Sequence, residues 1–163
     1  MRIAISADED TGVARVLSDA LRRRGHEVGL YGVLAPSTET GTASRREGWA
    51  WCSEAAAREV AEGRAQQAIV CCWTGTGASI AANKVPGVRA ALCADAATAA
   101  GARRWNDANV LALSLRATSE AELEEILDAW FAGEASDDPN DRENVTHLVE
   151  IERRQDKAGS ARR

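Results

Sequence analysis

The sequence predicts a three-layer, Rossmann-like α/β fold: a doubly wound parallel sheet of about five strands, helices on both faces, and a C-terminal helix. Short apolar runs recur along the chain: RIAIS (2–6), HEVGLYG (26–32), QAIVCC (67–72), VRAALCA (88–94) and NVLALSL (109–115). Stretches with helical spacing or composition separate them. Helix caps and breakers stand where one pattern gives way to the other. A strand joined through a helix to the next strand makes a right-handed parallel crossover, which covers both faces of the sheet.

The elements follow in order. Gly12 to Arg24 carries Val13, Val16, Leu17, Ala20 and Leu21 at helical spacing, and Gly25 is its C-cap. Residues 35–48 (APSTETGTASRREG) are polar and turn-rich, so a loop is expected. Trp49 to Glu62 is helical by composition and stops at Gly63. After QAIVCC comes a Gly-rich loop and a short helix starting near Ala78. Asp95 caps the helix AATAAGARRW, and Ser119 with Glu122 forms a capping box for a helix reaching Phe131. A last helix is expected from about Arg142 to Arg154. Residues 1–133 read as one domain and 134–163 as a helical tail that packs on a partner subunit.

Composition excludes several functions. A net charge of -5 leaves no basic footprint for nucleic acid. No apolar run is long enough to span a membrane, and MRIAISAD lacks a signal-peptide core of full length, so the expectation is a cytoplasmic protein. The four cysteines, Cys52, Cys71, Cys72 and Cys93, form no CxxC pair, and the two histidines, His26 and His147, are distant. Neither a metal site nor a disulfide is expected, and reduced thiols suit a reducing compartment. His26 reads as a surface residue, His147 as a bland mid-helix one, and Trp130 as core.

In parallel sheets ligands bind beyond the carboxyl ends of the strands. That nominates Asp8, Cys72 with the loop after it, Ala94 with Asp95, and the segment after NVLALSL. The stretch CWTGTGAS (72–79) leaves a strand and opens a helix. Gly75 and Gly77 let backbone N–H groups converge, and the helix adds its positive end, which suits an anion. TGTG alone fits a plain turn equally well. Cys72 ends its strand and faces that concavity, where a thiol can act as nucleophile or base. Cys71 points to the opposite face and reads as packing, as do Cys52 and Cys93.

Together these residues resemble the ribose-5-phosphate isomerase B and galactose-6-phosphate isomerase (RpiB/LacAB) family. CWTGTGASIAANKVPGVRAALCAD (72–95) and WNDANVLAL (105–113) carry the resemblance, with RIAISAD and GHEV in support. It implies a cofactor-free aldose–ketose isomerase working through a cis-enediolate, as a homodimer or homotetramer with sites at the subunit boundary. Cys72 falls on the family's catalytic base and Thr74 on its proton donor or hydroxyl ligand. Gly75, Gly77, Ala78 and Ser79 match its anion hole, Asp8 its ring-hydroxyl ligand, and Asn106 its contact near the reacting carbons.

The departures concern ring opening and phosphate. Glu9 stands where the family has a phosphate-holding histidine, and Trp105 where it has the ring-opening histidine. Trp73 replaces a glycine, and Trp49 a substrate-contacting tyrosine. In the tail, Asn140 and Asn144 occupy positions expected to be arginine. Phosphate would then fall to Arg103, Arg116 or Arg142. The default substrate pair is D-ribose 5-phosphate and D-ribulose 5-phosphate. The alternatives are another sugar (linear, a tetrose phosphate, or unphosphorylated) and a non-catalytic ligand-binding relative.

Overall fold

The computed structural model describes residues 1–36 and 47–160, the last five of these by backbone alone. In chain order the elements are β1 (Arg2–Ala7), α1 (Ala14–Arg23), β2 (Glu27–Gly32), α2 (Trp49–Ala61), β3 (Gln67–Cys72), α3 (Thr76–Ala82), β4 (Ala90–Leu92), α4 (Ala96–Asn106), β5 (Val110–Ser114), α5 (Glu120–Ala132) and α6 (Pro139–Ser160). All five strands are parallel, in the order β2-β1-β3-β5-β4. Most of the loop expected at 35–48 lies outside the described residues, as does the terminus from 161 onward.

The two faces of the sheet are packed differently, and the alternation of side chains along β3 decides which residue meets which face. Ile69 and Cys71 join Ile3, Leu17, Leu21, Leu123, Leu127 and Trp130 under α1 and α5. Ala68, Val70 and Cys72 join Ala56, Ala57, Ala78 and Ala82 under α2 and α3. The first face holds large aliphatic side chains and a buried indole. The second is built from alanines and valines, so α2 and α3 lie close to the sheet, and the Cys72 thiol sits just beneath the start of α3.

Local signals act as the sequence predicts at several ends. Asp95 accepts from the Thr98 N–H at 2.7 Å and so caps α4. Ser119 and Glu122 form both halves of the capping box on α5. Several boundaries differ, three of them with a consequence for the site or the sheet. The short helix begins at Thr76, not near Ala78, because Gly75 takes a left-handed conformation (φ 75°) and already starts the turn. The strand in VRAALCA shrinks to Ala90–Leu92 at the sheet edge. The last helix starts earlier and runs longer than expected, from Pro139, and proline is well placed in a first helical turn.

His26 is a further correction. It is half-buried and stacks on Phe131, ring centroids 4.5 Å apart, at the α1–β2 corner. Burial, with the nearby N-terminal and Arg24 charges, holds its pKa below the ordinary histidine value. No helix among the described residues is long and apolar enough to cross a membrane.

Candidate active site

The strand order reverses direction between β1 and β3: β2 lies on one side of β1, while β3, β5 and β4 lie on the other. Connections leave such a switch point in opposite directions and open a crevice at the carboxyl ends of the two strands. Asp8 follows β1 and Cys72 ends β3, so the topology delivers both to this crevice.

The loop after Cys72 is held rigidly. The Gly75 N–H donates to the Cys72 carbonyl at 3.1 Å, and the Leu115 N–H donates to the same carbonyl at 3.0 Å. The Trp73 carbonyl accepts from the Arg116 N–H at 3.1 Å and from Ser114 Oγ at 3.0 Å. A Cβ on Gly75 would come within 2.9 Å of the Leu113 carbonyl carbon, so this backbone runs against β5 with no room for a side chain.

The Ala78 N–H points at Cys72 Sγ, 3.4 Å away, in a buried contact. The Ser79 N–H is donated to the Gly75 carbonyl at 3.0 Å. Of the four residues matched to an anion hole, Gly75 and Ser79 therefore spend their amides within the loop. Thr76 and Gly77 open α3, and their N–H groups find no acceptor among the described residues. Thr76 has no signal in a glycine pattern, and only the helix start at residue 76 shows that its N–H is free among the described residues. Thr74 Oγ1 lies 2.7 Å from Thr76 Oγ1.

Around this cradle the side chains divide by charge and size. Asp8 is half-buried, and its Oδ1 is enclosed with no hydrogen-bond partner. Burial and the Glu9 charge raise its pKa above the ordinary aspartate value, against a backbone hydrogen bond that lowers it. Glu9 is exposed. The Trp49 indole lies on Gly77: a Cβ there would meet its Cδ2 and Cε3 at 2.9 Å. Trp49 and Trp73 remain 45% and 49% exposed, so the cradle has aromatic walls open to solvent. Arg116 is exposed and enters none of the ion pairs formed by the described residues.

Three nominated residues lie elsewhere. α4 runs back from the carboxyl side of the sheet, so Trp105 and Asn106 at its C-terminus sit near the start of β5. β3 has six residues, which at ~3.3 Å each separates the two ends of the sheet by about 20 Å. Trp105 folds over Gly101 and lines a groove of about 340 Å³ with Arg104, Asp107, Asp137 and Arg142. Arg142 pairs there with Asp137. Asn106 faces a second groove, of about 450 Å³, with Asn83, Leu148, Ile151 and Glu152. One chain thus brings together Asp8, Glu9, Trp49, Cys72, Trp73, Thr74 and Arg116, and holds Trp105, Asn106 and Arg142 at the opposite pole.

The other cysteines are structural. Burial pushes the Cys52 and Cys93 thiols up to about 11 and Cys71 higher still. All four cysteines are free. Two asparagines of the recognisable motifs are also structural. Asn83 accepts from the Ala90 N–H at 2.9 Å and donates to its carbonyl at 2.8 Å, completing the free edge of β4. Asn109 clamps the preceding turn through the Arg89 N–H and the Gly87 carbonyl.

The ribose/galactose isomerase family model matches residues 3–148. The chain belongs to that family. It is 32% identical over 138 residues to the galactose-6-phosphate isomerase subunit LacB of Clostridium acetobutylicum, covering 83% of this chain and 73% of the relative. A D-erythrulose-4-phosphate isomerase of Pectobacterium atrosepticum is 42% identical over 78 residues, 48% of this chain and about half (51%) of that one. The structure of ribose-5-phosphate isomerase B from Clostridium thermocellum superposes with a TM-score of 0.81 at 34% identity, covering 95% of this chain and 99% of that one. As a member, the protein is a sugar-phosphate aldose–ketose isomerase, an intramolecular oxidoreductase.

Proposed function

We propose that the protein interconverts D-ribose 5-phosphate and D-ribulose 5-phosphate through a cis-enediolate formed over the Cys72 loop. The observation that carries this reading is the buried Cys72 thiol, with the Ala78 N–H on its sulfur and the unspent Thr76 and Gly77 amides beside it. As the thiolate, Cys72 takes the proton from C2 and becomes the thiol, and the electron pair moves into the enediolate. The amides lie where negative charge develops on oxygen, which is a large source of rate. The same thiol returns the proton to C1. Thr74 serves the reacting oxygens, and the unpartnered Oδ1 of Asp8 accepts from a sugar hydroxyl. Arg116, unpaired beside Trp73, is suited to the phosphate.

A second copy completes the site. Asn106, Trp105 and Arg142 lie at the far pole of the same chain, so a two-fold arrangement that sets the pole of one copy against the crevice of the other supplies them. Exposed Ile80, Leu92, Leu148 and Ile151 give that contact an apolar surface, and the tail at 134–163 takes part in it.

A shorter, open-chain substrate is the second reading, and the likeness to a D-erythrulose-4-phosphate isomerase favours it. The Trp105 indole N–H donates a hydrogen bond but does not shuttle a proton as an imidazole does, and a four-carbon sugar 4-phosphate has no ring to open. The deciding experiment follows exchange at C1 and C2 in heavy water by NMR with both substrates. Exchange with D-ribose 5-phosphate, abolished in Cys72→Ala, supports the first reading. Exchange with D-erythrulose 4-phosphate alone replaces it with the second. No exchange with any sugar phosphate overturns both.

A further inference from the structure

We infer that Thr76 acts through Thr74, the two hydroxyls forming a proton relay between the reacting sugar oxygen and water. This rests on the isomerase reading of Cys72 and Thr74. The left-handed Gly75 turns the chain between the two threonines, so their side chains meet on one side of the loop with Oγ1 atoms 2.7 Å apart. That is an ordinary hydrogen-bond distance between two hydroxyls. A threonine in the first turn of a helix usually spends its hydroxyl on a backbone group. Thr76 does not: no side-chain cap exists on α3, and Thr74 is its only side-chain partner among the described residues. Both residues are exposed, so the outer hydroxyl exchanges its proton with solvent directly.

The chemistry needs such a chain. Isomerisation converts a carbonyl at C1 into a hydroxyl and a hydroxyl at C2 into a carbonyl. If Thr74 gives its proton to O1, it is left as an alkoxide, a poor state for a group of such low acidity. A concerted transfer avoids an alkoxide in the loop: Thr74 Oγ1 gives its proton to O1 and takes one from Thr76 Oγ1, which takes one from water, and the hydroxide left in solvent is neutralised by the proton that O2 releases. The O2 hydroxyl releases its proton to solvent as C1 is reprotonated by Cys72. Uptake and release cancel, no oxidant or reductant is needed, and the loop returns to its starting state.

The test uses full-length protein, with D-ribose 5-phosphate and D-erythrulose 4-phosphate as probes. Thr76→Val keeps the shape and removes the hydroxyl, and Thr76→Ser restores it. The expected result is a kcat about tenfold or more below wild type in Thr76→Val, KM within about twofold, and recovery in Thr76→Ser. In mixtures of light and heavy water, the wild-type rate should curve with isotope fraction, as for more than one moving proton, and the valine variant should be linear. If Thr76→Val keeps the wild-type kcat and curvature, the relay is wrong. It is also wrong if the variant only melts earlier or raises KM, since a hydroxyl pair that merely stiffens the loop would do that. If the wild-type protein turns over neither probe, the isomerase reading fails and takes the relay with it. Turnover with an unaffected Thr76→Val removes the relay alone.

Discussion

Gly77 is required because an indole already occupies the space its side chain would need. Trp49 lies across it, with ring carbons 2.9 Å from any added Cβ. Gly77→Ala must tilt the ring off the cradle and shift the free amide beneath it. Small displacements of positioning groups are costly in catalysis, so kcat/KM should fall roughly 10- to 100-fold. Combining Gly77→Ala with Trp49→Ala should lose less than the sum of the two single effects, because the collision then disappears. Steady-state kinetics on the three variants measures this directly.

Asp8 gives a prediction of opposite sign for stability and activity. Burial and the Glu9 charge raise its pKa in the folded chain. A carboxyl with a raised folded pKa binds its proton more tightly when folded, so ionisation favours the unfolded state. The penalty is absent below the ordinary aspartate value, grows as pH rises through it, and is complete above the raised one. Asp8→Asn should therefore melt higher than wild type at pH 7 and no higher near pH 3, while activity at pH 7 drops. A wild-type melting point at or above the variant's at pH 7 would contradict this. The site keeps a carboxylate whose Oδ1 has no partner in the free chain, at a cost in stability.

At the scale of elements, one buried hydrogen bond joins α5 to β3. Trp130 is fully buried and donates from Nε1 to Gln67 Oε1 at 2.8 Å, and the Arg103 guanidinium sits 5.5 Å from its ring centre. Trp130→Phe keeps most of the apolar volume but leaves the Gln67 carbonyl unpaired. That should cost about 1–3 kcal/mol, with a smaller further loss from the space vacated. Denaturant unfolding reads it, and adding Gln67→Leu should recover part of the loss. Activity should survive at temperatures where the variant is folded, since this bond lies on the face of the sheet away from the Cys72 thiol.

At the scale of the whole molecule, Cys72 and Asn106 lie at opposite ends of one chain's sheet, and the proposed function has a second copy bring them together. Cys72→Ala and Asn106→Ala variants should each be nearly inactive alone. Mixed at equal amounts under conditions that exchange subunits, they should recover about a quarter of wild-type activity. Half of the random dimers are hybrids, and each hybrid rebuilds one of its two sites. Mixing without recovery, while size analysis confirms that hybrids form, would mean that Asn106 does not serve the partner's Cys72.

The elements and the glycine turn after Cys72 were legible in the sequence because both are set by neighbours along the chain. Apolar runs, the Asp95 and Ser119 caps and the glycines after Cys72 all act within a few residues, and alternation alone separates Cys72 from Cys71. Tertiary structure decided the rest. β5 enters the sheet between β3 and β4, an order that no local pattern encodes, because it follows from how the whole sheet is best covered. From that order comes the use of Asn83 and Asn109 as backbone clamps, and from the packing of the helices on the sheet come the distance between Cys72 and Asn106 and the seat of Trp49 on Gly77. The left-handed turn at Gly75 decided which amides are left unspent, and so set the Thr76 hydroxyl, unmarked in the sequence, against that of Thr74.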